Sequence, residues 1–197
     1  MKQFNNVYQF KISLKEIEPL IWRKIQVPVK YSFWELHIAI QSVMGWLDYH
    51  LHQFHVINPI TEELECIGNP GDDQFEEPII LPSWEKFIAD YFVLNKNIVY
   101  EYDFGDSWEH DIVLEKILPK QVNLRYPICL EGERACPPED CGGVGGYENF
   151  LKIIKNPKHE EYKATKTWAG RKFNPEVFNP SKVIFKNPNS RLKAWGY

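Results

Sequence analysis

The chain has 197 residues, of which 44% are hydrophobic and 15% aromatic. A chain of this length buries about 70% of its unfolded surface, so it needs no disulfide or metal to form a core. No stretch approaches the roughly 20 apolar residues that cross a membrane, and the first residues lack the apolar core of a signal peptide. We therefore expect a folded, cytoplasmic protein that does not enter a membrane.

The formal net charge of −4 hides an uneven distribution along the chain. Residues 1–150 hold 12 Lys and Arg against 24 Asp and Glu, whereas residues 151–197 hold 11 against 3. A basic segment of this kind either docks on the acidic body of its own chain or binds an acidic partner, a nucleic acid or another protein. We predict one domain over residues 1–170 and a basic C-terminal extension over residues 171–197, packed on or flanking it.

Alternating apolar and polar residues predict that the chain begins with two strands. The alternation runs over residues 8–14 and again over residues 21–27, where Arg23 falls among the apolar positions. Such alternation indicates strands with one buried face. The short link through Pro19 favours an antiparallel hairpin.

A helix, a strand and a loop are predicted next. Ser32 and Glu35 have the spacing of a capping box, and apolar residues at helical spacing then continue to Gly45, which ends the helix. A third strand is expected at about residues 50–57. Proline and turn residues then predict a loop over residues 58–78.

The middle of the chain predicts a second helix and a long hairpin. The helix is expected over residues 83–92. The hairpin strands are expected over residues 98–104 and 107–117, because Gly105-Asp106 has the composition of a two-residue hairpin loop.

The last third predicts mainly helices. A short strand is expected at about residues 125–130, followed by one helix over residues 147–154, another over 157–168, and only short helices in the proline-rich stretch from residue 173. The predicted fold is therefore α+β, with a mixed or mainly antiparallel sheet, helices mainly on one face and a helical C-terminal extension.

Two histidines near the start of the third strand are the first candidates for chemistry. His50 and His52 point to the same face if both lie on the strand. Paired imidazoles can bind zinc or iron when a carboxylate joins them. Half-buried histidines without a ligand are the alternative.

The predicted long hairpin supplies the second group of candidates. With a two-residue loop, Glu101 lies opposite His110 and Asp103 opposite Trp108, all on one face, and Asp106 lies in the loop. A carboxylate beside an imidazole suits acid–base catalysis or metal binding. A cross-strand polar pair that only stabilises the hairpin is the alternative.

The third group lies in a loop rich in Cys, Pro and Gly before a helix. Cys129, Cys136 and Cys141 are candidate zinc ligands, although their spacing is not that of a zinc ribbon, and reduced thiols are the alternative. Glu139 and Asp140 are candidates for proton transfer and equally for capping the helix.

Several segments together carry a family resemblance: Ile21-Trp22-Arg23-Lys24, Met44-Gly45-Trp46, His50-Leu51-His52, Tyr102-Asp103-Phe104-Gly105-Asp106, Trp108 with His110, and Cys136-Pro137-Pro138-Glu139-Asp140 with Gly142-Gly143 and Gly146-Tyr147. In this order, and over about residues 5–180, the chain resembles the plasmid pRiA4b ORF-3-like family. The resemblance implies a compact α+β domain. Members are often labelled as passenger proteins of insertion elements and sometimes as resolvases.

The resolvase label can be tested on the composition of the chain. A site-specific recombinase needs a nucleophilic Ser or Tyr among several arginines that hold the phosphate. The five arginines are scattered, at positions 23, 125, 134, 171 and 191, and no basic helix-turn-helix pattern is present. We therefore expect no recombinase activity.

Two function classes follow from the sequence. The first is a binding or interaction module, linked to mobile elements, whose basic C-terminal segment contacts a protein or a nucleic acid. The alternative is a metal-dependent, hydrolase-like enzyme that uses a divalent ion such as zinc. Its candidate catalytic residues are His52, Glu101, Asp103, Asp106, His110, Glu139 and Asp140, and its candidate metal ligands are Cys129, Cys136, Cys141, His50, His52 and His110.

Overall fold

The computed structural model describes residues 5–70 and 79–196 and confirms an α+β fold. The strands are β1 (Asn6–Leu14), β2 (Trp22–Pro28), β3 (His52–Ile57), β4 (Leu64–Gly68), β5 (Ile80–Pro82), β6 (Asn97–Tyr102), β7 (Trp108–Pro119) and β8 (Ile128–Glu133). They form one sheet in the order β5-β4-β3-β6-β7-β1-β2-β8. Every neighbouring pair is antiparallel except β4 and β5, so the sheet is mixed but mainly antiparallel.

The helices of the described ranges are α1 (Phe33–Met44), α2 (Gly143–Lys155), α3 (Tyr162–Trp168) and α4 (Pro188–Ala194), with short 3-10 turns at Ile88–Asp90 and Pro180–Lys182. None of the helices in these ranges is long and apolar enough to cross a membrane.

The helix α1 forms as its capping residues predict. The Ser32 hydroxyl accepts a hydrogen bond from the Glu35 amide (3.2 Å), and the Glu35 carboxylate accepts one from the Ser32 amide (2.8 Å). Gly45 ends the helix with a left-handed φ of 94°. Nearly all of α1 is buried, because the sheet lies on one side and the C-terminal segment on the other, where the Trp34 indole donates to the Pro188 carbonyl (2.9 Å).

The core lies on the face of the sheet that packs against α1. The strand registers bring Phe10 beside Ile25, Ile12 beside Ile112, and Tyr100 beside His110. Alternate residues along each strand therefore share this buried inner face, among them Tyr8, Val27, Leu14, Phe54, Tyr102, Trp108 and Leu114.

The helix predicted over residues 83–92 is wrong, because tertiary hydrogen bonds hold this stretch in another conformation. Only the 3-10 turn at Ile88–Asp90 is helical. The Ser83 carbonyl accepts from the Trp34 amide (2.9 Å), and the Ile88 amide donates to the Tyr31 carbonyl (3.0 Å). The loop predicted over residues 58–78 contains β4, and its residues 71–78 lie outside the described ranges.

The predicted register of the long hairpin is also wrong, by one residue. Tyr100 pairs with His110 and Glu101 with Glu109, because the connection is a five-residue loop rather than Gly105-Asp106 alone. Asp103 and Ser107 bound this loop with left-handed φ values of 58° and 53°. A slip of one residue exchanges the faces of a strand, so Glu101 and His110 lie on opposite sides of the sheet.

The basic C-terminal segment contacts the body of the protein at several points. The Lys186 amide donates to the Ser42 hydroxyl (3.1 Å), and the Lys186 ammonium donates to the Trp46 carbonyl (2.7 Å). Farther along, Arg191 forms an ion pair with the buried carboxylate of Asp48 (2.7 Å). These contacts agree with the docking interpretation of the charge asymmetry, and they use two of its cations internally.

Candidate metal centre

Hydrogen bonds join the stretch after α1 to the loop before α2. The Trp46 indole donates to the Pro137 carbonyl (3.0 Å), and the Leu47 amide donates to the Glu139 carboxylate (3.1 Å). These two bonds fasten the segment that carries His50 beside the segment that carries Asp140.

Tyr102, at the end of β6, joins the segment that carries Asp103 to the other two. Its hydroxyl donates to the Glu139 carboxylate and accepts from the Tyr49 amide (3.1 Å). Burial and the adjacent Glu139 raise the pKa of Tyr102, so its phenol stays protonated and remains a donor. The Asp103 amide, one residue on, donates to the Leu51 carbonyl (3.0 Å).

Asp106 fixes the hairpin loop against the beginning of α2. Its carboxylate accepts from the Gly142 amide (3.0 Å). Gly143 follows with a left-handed φ of 65°, and a Cβ atom there would lie 2.6 Å from the Asp106 carbonyl oxygen. The glycines of this loop therefore permit a close backbone approach that a larger residue would prevent.

One residue from each of the three segments meets at this junction. The Nε2 atom of His50 lies 2.8 Å from Oδ1 of Asp140 and 3.6 Å from Oδ2 of Asp103. The three ligand atoms lie within 4.8 Å of one another, and no other set of three metal-ligating side chains does so within the described residues. We call these residues the His50–Asp103–Asp140 cluster.

Local backbone geometry orients the two carboxylates of the cluster. Asp103 and Asp140 have left-handed φ values of 58° and 55°, a conformation that Asp tolerates better than most residues. Oδ1 of Asp103 accepts from the Gly105 amide (3.0 Å) and the Asp106 amide (3.4 Å). Its second oxygen is therefore the one that faces His50.

The cluster lies at the surface, inside an apolar rim. The His50 side chain is 32% exposed and that of Asp140 64%, whereas that of Asp103 is 11% exposed. A solute can therefore reach the cluster from one side. By the apolar rim we mean the exposed apolar side chains that neighbour the cluster residues in the sequence: Leu47, Tyr49, Leu51 and Phe104.

His52, predicted as a ligand or base, lies away from the cluster because β3 begins at this residue and turns it inward. Its ring stacks on that of His37, with 3.6 Å between ring centroids, and neither nitrogen has a hydrogen-bond partner among the described residues. Burial lowers the pKa of His52 well below its usual value, so the ring is neutral.

The neighbouring His37 has a defined tautomer. Burial lowers the pKa of His37 despite the nearby Asp48 carboxylate. The neutral ring therefore donates from Nε2 to Asp48 (2.9 Å) and accepts at Nδ1 from the Tyr100 hydroxyl (2.8 Å). The positive partner of Asp48 is instead Arg191.

His110, the other candidate base, lies on the inner face of β7. Its Nδ1 donates to the Trp108 carbonyl (3.0 Å), and its ring meets Trp46 edge-on, with 5.4 Å between centroids. Burial lowers the pKa of His110 to about 4. His110 and His52 share this face and both lie near Tyr100, at centroid distances of 5.3 and 6.1 Å, but neither belongs to the cluster.

Glu101 faces the opposite, solvent side of the sheet. Its carboxylate accepts hydrogen bonds from Gln53 (2.7 Å) and Ser107 (2.8 Å), and it lies 3.5 Å from His55. The prediction that Glu101 lies opposite His110 on one face is therefore wrong, because the two side chains are separated by the sheet.

The predicted cysteine ligands are not brought together. Cys129, Cys136 and Cys141 are free thiols, and no described set of three metal-ligating side chains includes a cysteine. Burial raises the pKa of Cys129 to about 11 and that of Cys141 to about 12, and it raises that of Cys136 as well. The three thiols are therefore neutral.

Sequence reasoning missed the buried network behind the cluster. Asp48 is 2% exposed and binds His37, Arg191 and the Trp195 indole. The sequence contained one indication, a histidine at position 37 among the apolar residues of α1. Nothing in the pattern connected it to residues more than 140 positions later.

The fold agrees with what comparisons with known proteins show. The family model for plasmid pRiA4b ORF-3-like proteins matches residues 6–182, and the chain belongs to this family. It is 33% identical over 165 residues to the uncharacterized protein y4hQ of Sinorhizobium fredii, covering 84% of this chain and 81% of that relative. The crystal structure of MM3350 from Methanosarcina mazei Go1, a protein of unknown function, shares 49% identity with a TM-score of 0.86, covering 92% of this chain and 99% of that chain.

Proposed function

We propose that the protein binds a divalent metal ion through His50, Asp103 and Asp140 and uses it for hydrolysis. One observation carries the proposal: three segments far apart in the sequence each contribute one ligand atom to a group within 4.8 Å. One imidazole and two carboxylates form a ligand set suited to zinc, manganese or ferrous iron.

The number and exposure of the ligands favour a catalytic rather than a structural ion. Catalytic zinc sites keep three protein ligands and leave a position for water or substrate, whereas structural sites use four. Solvent can reach the cluster from the side of His50 and Asp140. A bound ion would polarise a carbonyl or phosphoryl oxygen and lower the pKa of a water molecule to about 7.

The apolar rim supports substrates with hydrophobic or aromatic groups. Tyr49 is 64% exposed and Phe104 42%, although both belong to loops that are otherwise well tied to the body. Exposed apolar side chains around a polar centre are typical of ligand sites, where they bind the substrate and displace water. Esters with apolar or aromatic groups are therefore the substrates to test first.

Metal binding is tested by calorimetric titration of chelator-treated protein with zinc and with manganese. We expect one site per chain with a dissociation constant of about 10 μM or below. Asp103→Asn should weaken binding by at least about tenfold, because it removes one anionic ligand. Asn keeps the oxygen that accepts from Gly105 and Asp106, and it tolerates the left-handed backbone, so the variant should fold.

The matched control is Glu101→Gln, which also neutralises a single carboxylate but on the opposite face of the sheet. It should leave the affinity for metal unchanged. Failure of the wild-type protein to bind either ion, or an equal loss of affinity in the two variants, would refute the metal site. Hydrolysis of p-nitrophenyl esters and bis-p-nitrophenyl phosphate, measured with and without metal, tests the enzymatic part separately.

A second candidate function is the binding of an acidic partner by the basic C-terminal segment. The observation that favours it is a cavity of about 370 Å³ beside α3, lined by Lys163, Lys166 and Arg171 together with Tyr162 and Thr167. These cations lie together, whereas Lys186 and Arg191 contact the body of the same chain. A site of this charge suits a nucleic-acid phosphate backbone.

The nucleic-acid hypothesis predicts a strong dependence on salt. Binding of a fluorescent DNA or RNA oligomer should weaken by at least about tenfold between 50 and 200 mM salt, because counterions are released on binding. Lys163→Ala with Arg171→Ala should reduce both the affinity and this dependence, whereas Lys30→Ala, on the acidic body, should change neither. The absence of measurable binding at low salt would exclude this function.

A further inference from the structure

A cavity lies between the body of the protein and its C-terminal segment. It has a volume of about 570 Å³, within the range of small-molecule sites. Three stretches enclose it: residues 42–47 at the end of α1, residues 135–139, and the C-terminal residues 173–184. Most of its walls are apolar, with side chains that include Val43, Trp46, Pro137, Phe173 and Val183.

One wall of this cavity is a buried arginine. Arg23 is 1% exposed on the inner face of β2. Its Nε donates to the Val43 carbonyl (2.9 Å), and its Nη1 donates to the carbonyls of Trp22 and Glu133 (both 2.8 Å). The guanidinium lies 3.6 Å from the ring centroid of Phe178.

Within the described ranges, Arg23 has no carboxylate to balance its charge. None of the ion pairs within the described part of the chain includes it, and its second terminal nitrogen, Nη2, has no acceptor there. Burial lowers the pKa of Arg23, yet a guanidinium remains charged in proteins. A buried charge without a counter-ion is strongly destabilising unless something else compensates it.

The other polar groups near the cavity do not supply that compensation. The thiols of Cys129 and Cys136 are neutral because burial raises the pKa of both. Glu139 lies in the wall, but its two carboxylate oxygens already accept from Tyr102 and Leu47. The remaining charged side chain in the wall is Lys182, a second cation.

We propose that this cavity binds a small amphipathic carboxylate, with its anionic group on Arg23 and its apolar chain along the walls. Two unlike features support this class of ligand together: a buried cation without a counter-ion, and an apolar cavity onto which it opens. A carboxylate matches the guanidinium in charge and geometry. An apolar chain gains free energy by leaving water for the surfaces of Trp46, Phe173 and Val183.

Gly132 leaves the space that lets the Phe178 ring lie on the Arg23 guanidinium. A Cβ atom at Gly132 would lie 2.6 Å from the Phe178 ring and 2.9 Å from the Cδ atom of Arg23. Only a residue without a side chain therefore allows the Phe178 ring to lie on the guanidinium. The ring covers one face of Arg23 and leaves its edge for an anion.

The proposal is tested by calorimetric titration of chelator-treated protein with decanoate and, separately, with decanol. We expect decanoate to bind one site with a dissociation constant of about 10–100 μM, and decanol to bind at least about tenfold more weakly. The two probes share a ten-carbon chain and differ in charge. Chelation makes the result independent of the proposed metal centre.

Two variants localise the site. Val183→Trp fills the cavity without removing a hydrogen bond and should abolish decanoate binding. Val177→Ala, at a 59% exposed position at the edge of this cavity, should retain decanoate binding. Arg23→Met should bind decanoate no better than decanol, and its thermal unfolding shows whether it is folded. The proposal is overturned by no decanoate binding, by equal affinity for the two probes, or by full binding in folded Val183→Trp.

Discussion

Replacing Asp48 by Ala should lower the free energy of unfolding by about 3–5 kcal/mol, the range for breaking a buried ion pair from one side. Asp48 is 2% exposed and accepts hydrogen bonds from His37, Arg191 and Trp195. Hydrogen bonds from His37 and Arg191 hold the pKa of Asp48 below its usual value, although burial alone would raise it. The substitution would remove the acceptor of three donors, of which the His37 ring is fully buried.

Urea denaturation of Asp48→Ala and Asp48→Asn measures this effect. Position 48 has a left-handed φ of 62°, which Asn tolerates and Ala does not. Asn also keeps one oxygen acceptor, so its loss of stability should be smaller than that of Ala. Asp111→Ala, at a surface hydrogen bond with Asn97, serves as the control and should cost less than about 1 kcal/mol. A loss below 1 kcal/mol for Asp48→Ala would contradict the role of this network.

Lowering the pH from 7.5 to 5.5 should reduce the free energy of unfolding by at least about 1.4 kcal/mol. Burial lowers the pKa of His110 to about 4 and lowers those of His37 and His52 as well, against about 6.5 for an unfolded histidine. The unfolded chain therefore takes up protons first as the pH falls. His110 contributes stability above pH 6.5 and loses about 1.4 kcal/mol of it by pH 5.5, and His37 and His52 change the stability in the same direction.

The depressed pKa of Asp48 acts in the same direction, but it adds to the loss only below about pH 4, outside this range. Urea denaturation of chelator-treated protein at a series of pH values measures the slope of the free energy of unfolding against pH. His52→Leu removes one titrating group and should reduce the slope, whereas His159→Gln, at the surface near α3, should not change it. Identical slopes in wild-type protein and His52→Leu would show that the buried His52 ring is not responsible.

The parts of the fold that depend on neighbouring residues were predictable from the sequence. The capping box of Ser32 and Glu35 and the left-handed Gly45 define α1 by local interactions alone. The helix expected over residues 83–92 failed because hydrogen bonds to Tyr31 and Trp34, some 50 residues earlier, outweigh its local preference.

The candidate site was predictable as a meeting of segments but not as a set of side chains. The His50, Asp103 and Asp140 segments were each identified, yet His50 rather than His52 joins the cluster because β3 starts at His52 and turns that side chain inward. Likewise, Glu101 was predicted at the site only because the predicted register of the hairpin was wrong by one residue. Counting residues along a hairpin assigns each side chain to one face of the second strand only when the length of the connecting loop is known.

The distance along the chain between Asp48 and Arg191 has a consequence for protein synthesis. Their hydrogen bond joins residues 143 positions apart, and the chain between them takes roughly 7–30 s to synthesise. During that time the ribosome holds a nascent chain in which α1 and Asp48 are present but Arg191 and Trp195 are not. Neither the burial of Asp48 nor the last wall of the 570 Å³ cavity can be completed before this later segment has left the exit tunnel.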